Sequence, residues 1–437
     1  MTALLPGAAL AVLFQAAQAP TLSLEEALKI AEANAFRVRL AASDLEKARQ
    51  QHAESKGRRG PSLQASASYT RFDKEISAQF NGSSVTIRPI DQKQASLTFS
   101  VPLDVSKALS KGVDAARLNA LAFEASLASE KSALKLEVRR AYFGAVQARW
   151  QVGVAEEALE NSRKRLENAE LRQRAGELAK VDVLRFQTEV AQRASELIAA
   201  KNGLSLAKNV LNNAMGRPIQ TLFETEEIER IPAEPAGADT LVLNAAKARP
   251  ELDALRFTAE SLKRVREAEE RGLAPTLNLS AVHDRAIDAQ GFGSTEGTTT
   301  GTLTLAVPIF DSGITRARAR AARQDEEQAK IRLAQFELGV SLEVRQALTS
   351  LVDAKSRLKV ADEQVKLAEE TYRLAVLRYE AGEGIQLEAL DAQTQLTQAR
   401  TGLVAARYDV LAAHAQLQAA VGRDDLGAAG ANTEKKN

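Results

Sequence analysis

Leu97-Thr98-Phe99-Ser100-Val101-Pro102-Leu103 returns 206 residues later as Leu303-Thr304-Leu305-Ala306-Val307-Pro308-Ile309. At the same offset Leu136-Glu137-Val138-Arg139 returns as Leu342-Glu343-Val344-Arg345, and Ala175-Gly176-Glu177 as Ala381-Gly382-Glu383. Gln187-Thr188 and Gly216-Arg217 recur as Gln393-Thr394 and Gly422-Arg423. An ungapped repeat covering 97–217 and 303–423 is one structural unit used twice. Each unit reads strand, very long helix, tight turn, helix. Residues 31–63 also resemble 245–277, at an offset of 214, so the first inter-strand loop is eight residues longer than the second.

The helices exceed what a globule needs. Val138, Ala141, Ala145, Ala148, Val152, Ala155, Leu159, Ser162, Leu166 and Ala169 step by fours and threes, a heptad seam. The copy runs Val340, Val344, Ala347, Leu351, Ala354, Leu358, Ala361, Val365, Ala368, Tyr372, Ala375. After each turn a second helix keeps a seven-residue period: Val190, Leu197, Leu204, Leu211, and then Leu396, Leu403, Val410, Leu417. Long antiparallel helical hairpins follow, over 105–214 and 312–421. A helix from 105 to 174 spans roughly 105 Å, about what the helices expected at 22–57 and 181–214 reach end to end. That arithmetic favours a hollow cylinder over a compact bundle.

Four strands interrupt the helices, at about 62–72, 94–103, 276–286 and 300–309. Leu63, Ala65, Ala67 and Tyr69 alternate with Gln64, Ser66, Ser68 and Thr70, and Leu97, Phe99, Val101 and Leu103 with Thr98, Ser100 and Pro102. Leu277, Leu279 and Ala281, then Leu303, Leu305, Val307 and Ile309, repeat the pattern. Runs of about ten residues with apolar-out, polar-in alternation are the length and pattern of a tilted membrane strand. They also suit a half-buried soluble sheet, but hairpins set between heptad helices have no second apolar layer to pack on. An open sheet edge is not tolerated in lipid, so several chains would close one barrel. The loops at 73–93 and 287–299, rich in Gly, Ser, Thr and Asp, read as exposed tips.

Composition sets the address. Lysines and arginines number 58 against 57 acids, a net charge of +1, which gives no electrostatic case for nucleic acid. The absence of cysteine removes disulfides, thiolate metal sites and cysteine nucleophiles. Residues 1–19 read as a signal peptide, with a cut at Ala19 or at Ala16 or Ala17. His52, His283 and His414 are isolated, so neither a catalytic constellation nor a cofactor is expected. The domain reading is 20–217 as the first repeat, 218–240 as a Pro-containing linker lying across the helices, 241–423 as the second repeat, and 424–437 as a disordered tail.

Over nearly its whole mature length the chain resembles the TolC-type outer-membrane efflux channel family. The resemblance rests on the twofold element order, the strand ends Val101-Pro102-Leu103 and Val307-Pro308-Ile309-Phe310-Asp311-Ser312-Gly313, the turns at 174–184 and 380–390, and the closing Gly-Arg pairs. It implies a mainly α fold with a transmembrane β part, in which four strands per chain trimerise into a 12-stranded barrel on an α-helical tunnel. It further implies a passive exit duct in the outer membrane of a Gram-negative cell, reaching into the periplasm. The implied partners are two further copies, outer-membrane lipid, a periplasmic adaptor (membrane fusion protein) and an inner-membrane pump of RND or ABC type.

The family's Gly-x-x-Ser-x-x-Asp-Val-Leu turn maps onto both tips. Gly176 and Gly382 match the glycine, and Leu184 and Leu390 the leucine, while Ala179 and Ile385 stand where the family has serine. Gly176, Glu177, Ala179, Leu184, Gly382, Glu383, Ile385 and Leu390 then form the adaptor-docking tip. Glu388 and Asp391, three apart and so on one helix face, match the family's acidic pore constriction. Asp182 and Tyr379 match a gating latch between neighbouring hairpins, with Gly384 in place of an arginine that joins it in relatives. A soluble periplasmic coiled-coil scaffold is the competing reading: it would keep the heptads but has no use for strands of membrane length.

Overall fold

The computed structural model describes residues 20–80, 82–227, 235–287 and 297–423. The expected signal peptide and C-terminal tail lie outside them, as do parts of the linker and of the second loop. Among the described residues the first half runs β1 (Thr21–Leu22), α1 (Leu24–Asn34), α2 (Phe36–Gly57), β2 (Ser62–Arg71), β3 (Ile76–Phe80), β4 (Ser83–Arg88), β5 (Asp91–Leu103), α3 (Ala108–Arg174) and α4 (Lys180–Ala214). Then come β6 (Glu224–Thr225), α5 (Ala238–Ala248), α6 (Pro250–Glu269), β7 (Thr276–Ala286), β8 (Thr298–Ala306), α7 (Ile314–Glu380) and α8 (Gln386–Val421). At 67 residues each, α3 and α7 are about 100 Å long. No helix among the described residues is long and apolar enough to cross a membrane.

Two compact units result: one holds the residues up to Val38, Lys131–Leu243 and those from Glu343 on, the other Arg39–Glu130 and Asn244–Leu342. The second unit carries an antiparallel sheet in the order β2-β5-β7-β8. Its register keeps like residues on one face: Leu63 opposes Phe99, Phe99 opposes Ala281, Leu277 opposes both Leu103 and Leu305, and Leu279 opposes Leu303. On the other face Ser66 and Ser96 hydroxyls meet at 2.7 Å, and Ser100 donates to Asn278 Oδ1 at 3.1 Å. All four attached helices join the sheet at the same end, near Ser62, Leu103, Thr276 and Ala306. Beneath it the helices are tied by Lys111–Glu267 and Arg266–Glu326, each at 2.6 Å.

In the first unit the core gathers Leu134, Val138, Tyr142, Val146, Leu211, Met215, Phe223, Leu241, Leu351 and Leu417, all buried. β1 and β6 pair in parallel against this core. The Tyr142 hydroxyl donates to Leu22 O (2.9 Å) and accepts from the Glu226 N–H (3.0 Å), so one buried phenol holds both strands. Burial pushes that phenol up to about 12. Gly216 closes the first repeat at φ +67°, where a Cβ would come within 2.8 Å of Asn34 O, so the site admits no larger residue.

Three details depart from the expectations. The helix expected at 22–57 is two helices, broken at Ala35, whose backbone turns extended (ψ 125°). The loop at 73–93 contains the β3–β4 hairpin, in which Phe80 pairs with Ser83 and Gly82 lies at φ +83°. The last strand stops at Ala306, before Pro308. On α7 the seam is buried from Val340 to Val365 as the spacing requires, apart from the half-buried Leu358. On α3, Ala141, Ala148 and Val152 are only half-buried, because Tyr142, Phe143 and Val146 take the covered positions.

Candidate functional site

The two tip turns are built alike. α3 ends in a left-handed cap at Gly176 (φ +81°), with the Glu177 N–H donating to Arg172 O at 2.9 Å and the Gly176 N–H to Gln173 O at 3.0 Å. α7 ends the same way at Gly382 (φ +76°), with Glu383 donating to Arg378 O at 2.9 Å. Nothing lies within 4 Å of a Cβ at either glycine, so backbone angle alone requires them. Ala179 and Ile385 are the N-caps of α4 and α8, extended and without a side-chain cap bond. Their N3 residues are Asp182 and Glu388, whose backbone N–H groups reach the cap carbonyls at 3.1 Å.

Glu177, Leu184, Glu383 and Ile385 are exposed, and Leu390, like Leu178, is partly buried against the cluster of Ala169, Val183 and Phe186. Glu388 and Asp391 are both exposed on α8. The two carboxylates differ in company. Glu388 pairs with Arg378 Nη1 at 3.4 Å, while Asp391 has no ion pair among the described residues. At the equivalent positions of α4 the residues are Asp182 and Arg185, an ion pair at 3.6 Å.

Asp182 and Tyr379 are not hydrogen-bonded to each other within the chain. Instead Arg172 spans the two hairpins: its guanidinium lies 5.4 Å from the Tyr379 ring centroid and its Nε is 3.5 Å from the Glu177 carboxylate. Further bonds run between the hairpins. Gln386 Nε2 donates to Asp182 O (3.4 Å), Arg165 to the Tyr372 hydroxyl (3.0 Å) and Arg193 to Thr394 Oγ1 (3.1 Å). Arg400 joins Glu157 (2.7 Å) to Glu369 (3.0 Å). Arg165 also pairs with Glu189 at 2.7 Å, yet burial outweighs that attraction and holds the Glu189 carboxyl above its usual range. Between the tips lies a cleft of about 520 Å³ lined by Arg165, Arg172, Phe186, Tyr379, Gln386 and Leu390. None of these cross-hairpin cations was singled out from sequence. Arg172 recurs as Arg378 at the repeat offset, which was the available signal.

A family model described as outer membrane efflux protein matches residues 27–217 and 241–423. Protein CyaE of Bordetella pertussis is 30% identical over 280 residues, 59% of this chain and 55% of CyaE. The chain therefore spans about half the length of the curated relative it matches. Of solved structures, CusC superposes with a TM-score of 0.79 at 20% identity, covering 92% of each chain. The outer membrane protein VceC of Vibrio cholerae gives 0.76 at 20% identity, over 92% of this chain and 96% of its own. At such identity the likeness speaks to fold.

Proposed function

Because the chain belongs to the outer membrane efflux protein family, we propose that it is the outer-membrane duct of a tripartite efflux or type I secretion system. Three copies close a 12-stranded barrel continued by a helical tunnel, and solutes leave passively after an inner-membrane pump of RND or ABC type and a periplasmic adaptor engage its tip. The duct assists no covalent chemistry; its selectivity is electrostatic.

The observation that carries this reading is the sheet. One face presents Leu63, Leu97, Phe99, Leu103, Leu279, Leu303 and Leu305 to the surroundings, all exposed, and the other is a hydroxyl and amide face. Its outer strands β2 and β8 each have one unpaired edge. An apolar sheet face open to solvent, with two bare edges, is untenable for a lone copy in water. Lipid covers the face, and β8 of one copy pairing with β2 of the next removes the edges. A scaffold would need neither. α7 supports the same assembly, since Ile331, Leu338, Leu342, Val360, Leu367 and Leu374 form a second, exposed stripe away from its buried seam.

At the tip, Glu388 and Asp391 from three copies ring the narrow mouth and favour cations. Arg172, Tyr379 and Asp182 form the latch region, and Gly176, Glu177, Ala179, Leu184, Gly382, Glu383, Ile385 and Leu390 the adaptor-facing patch. The reading is tested by recovering the protein from separated membranes in mild detergent and weighing the particle. A trimer from the outer membrane is expected; a soluble monomer or dimer would replace the duct with the scaffold.

A further inference from the structure

The two halves of the repeat differ in charge where sheet gives way to helix. The head of α7 carries Arg316, Arg318, Arg320 and Arg323, all exposed, and among the described residues none of the four has an ion pair or a side-chain hydrogen bond. Their counterparts on α3 are Ser110, Gly112, Asp114 and Arg117. Arg316, Arg320 and Arg323 fall at i, i+4 and i+7, one stripe of the helix. The carboxylate just before them, Asp311, accepts the N–H groups of Gly313 (3.0 Å) and Thr315 (2.7 Å) and caps the helix. In a chain of net charge +1 this is a local concentration of like charge. Asp325, Glu326 and Glu327 follow on the same helix, but among the described residues no ion pair joins them to these four arginines.

Its surroundings name the counterion. Immediately upstream, Ile309 and Phe310 are 93% and 83% exposed, in the segment that leaves β8. With the apolar sheet face in the hydrocarbon, this pair sits at the layer's edge. Arg316 and Arg318 lie within about 6 Å of the start of α7, and Arg320 and Arg323 within about 14 Å. A headgroup layer is about 5–8 Å deep, and helix side chains lean back toward the N-terminus. We propose that this segment binds anionic phospholipid headgroups of the leaflet on the helical side. Ile309 and Phe310 enter the acyl boundary, and the arginine stripe donates to phosphodiester oxygens, which a planar guanidinium matches in a two-pronged fashion. The proposal rests on the barrel reading of the sheet. It adds a lipid contact that the second half of the repeat carries and the first does not.

The test is native mass spectrometry of the full assembled protein in mild detergent, titrated with phosphatidylglycerol or with phosphatidylcholine of the same chains. Wild type is expected to retain phosphatidylglycerol preferentially, less so as salt rises. Each arginine replaced by Gln, up to the quadruple variant R316Q/R318Q/R320Q/R323Q, should weaken that retention about fivefold. Should the quadruple variant not assemble, Arg320→Gln alone is measured for its single fivefold step. Equal retention by wild type and variant overturns the proposal. So does displacement of the lipid by millimolar inorganic phosphate, which would mean a free-anion site. A shift of reversal potential toward cations with lipid binding unchanged would put the arginines in the water path, and also overturns it. A wild-type protein that forms no membrane particle would sink the duct reading itself, a distinct result.

Discussion

The Arg172 guanidinium, at the foot of the first long helix, lies 5.4 Å from the ring centroid of Tyr379 at the foot of the second. This contact joins two hairpins that the chain otherwise separates by some two hundred residues. We propose that it serves the latch in place of the arginine for which this chain has Gly384. Arg172→Gln is expected to remove about 1 kcal/mol from the closed tip, roughly a fivefold rise in basal open probability in planar bilayers. Tyr379→Phe keeps the ring and should give a smaller rise, from loss of the hydroxyl alone. Unchanged conductance in both would dismiss the latch.

The acidic mouth proposed at Glu388 and Asp391 makes a second prediction. Asp391→Asn removes an uncompensated carboxylate, so cation-over-anion permeability should fall more than for Glu388→Gln, whose charge Arg378 already offsets. Arg378→Gln should raise cation selectivity by uncovering Glu388. Reversal potentials in asymmetric salt give all three, and equal ratios throughout would remove both residues from the pore.

The sheet faces predict opposite tolerance. Leu97→Arg or Leu305→Arg puts a charge on the apolar face at a cost of about 2–4 kcal/mol per chain near mid-bilayer. Trimer recovered from outer membranes should be lost. Thr98→Arg, one residue away on the polar face, should assemble normally. Similar yields from the two kinds of variant would contradict the lipid-facing assignment.

Tyr142→Phe removes the hydroxyl that the Leu22 carbonyl and the Glu226 N–H share, leaving them only their direct hydrogen bond at 3.2 Å. Losing such a bond costs about 1 kcal/mol, so the β1–β6 pair should fray first. Hydrogen exchange at residues 21–22 and 224–226 is the measurement; full protection in the variant would show that the phenol is dispensable.

Ile385→Ser should stabilise the second tip. A serine there completes a capping box with Glu388 at N3, worth about 1 kcal/mol. Slower proteolysis at the 380–390 turn is the expected readout. An unchanged rate would mean that the tip is held by Leu390 and the Arg172 contact and not by its cap.

Much of this architecture was legible because repetition amplifies weak signals. No single strand here is persuasive, but Leu97-Thr98-Phe99 repeated as Leu303-Thr304-Leu305 is. The break at Ala35 escaped because neither glycine nor proline marks it. Its counterpart does carry the mark, since Phe36 stands where the second copy has Pro250, the first residue of α6. The β3–β4 hairpin was overlooked although Asn81-Gly82 announces a tight turn; loop composition outweighed the dipeptide. The side-chain pairings at the tip lay beyond periodicity altogether. Heptad spacing says which face is covered, not that Arg172 reaches Tyr379 or that Arg165 reaches Tyr372.

The sheet register also sets an order of events. β2 and β5 are close in sequence and can pair as soon as Leu103 has emerged, whereas Leu103 meets Leu277 only after 174 more residues. Closing that distance costs chain entropy, and closing the proposed barrel would await two other molecules. The helices need neither, since their bonds are local. Folding should therefore run from the helical hairpins toward the membrane, with the sheet last to form and assembly slowing as protein concentration falls.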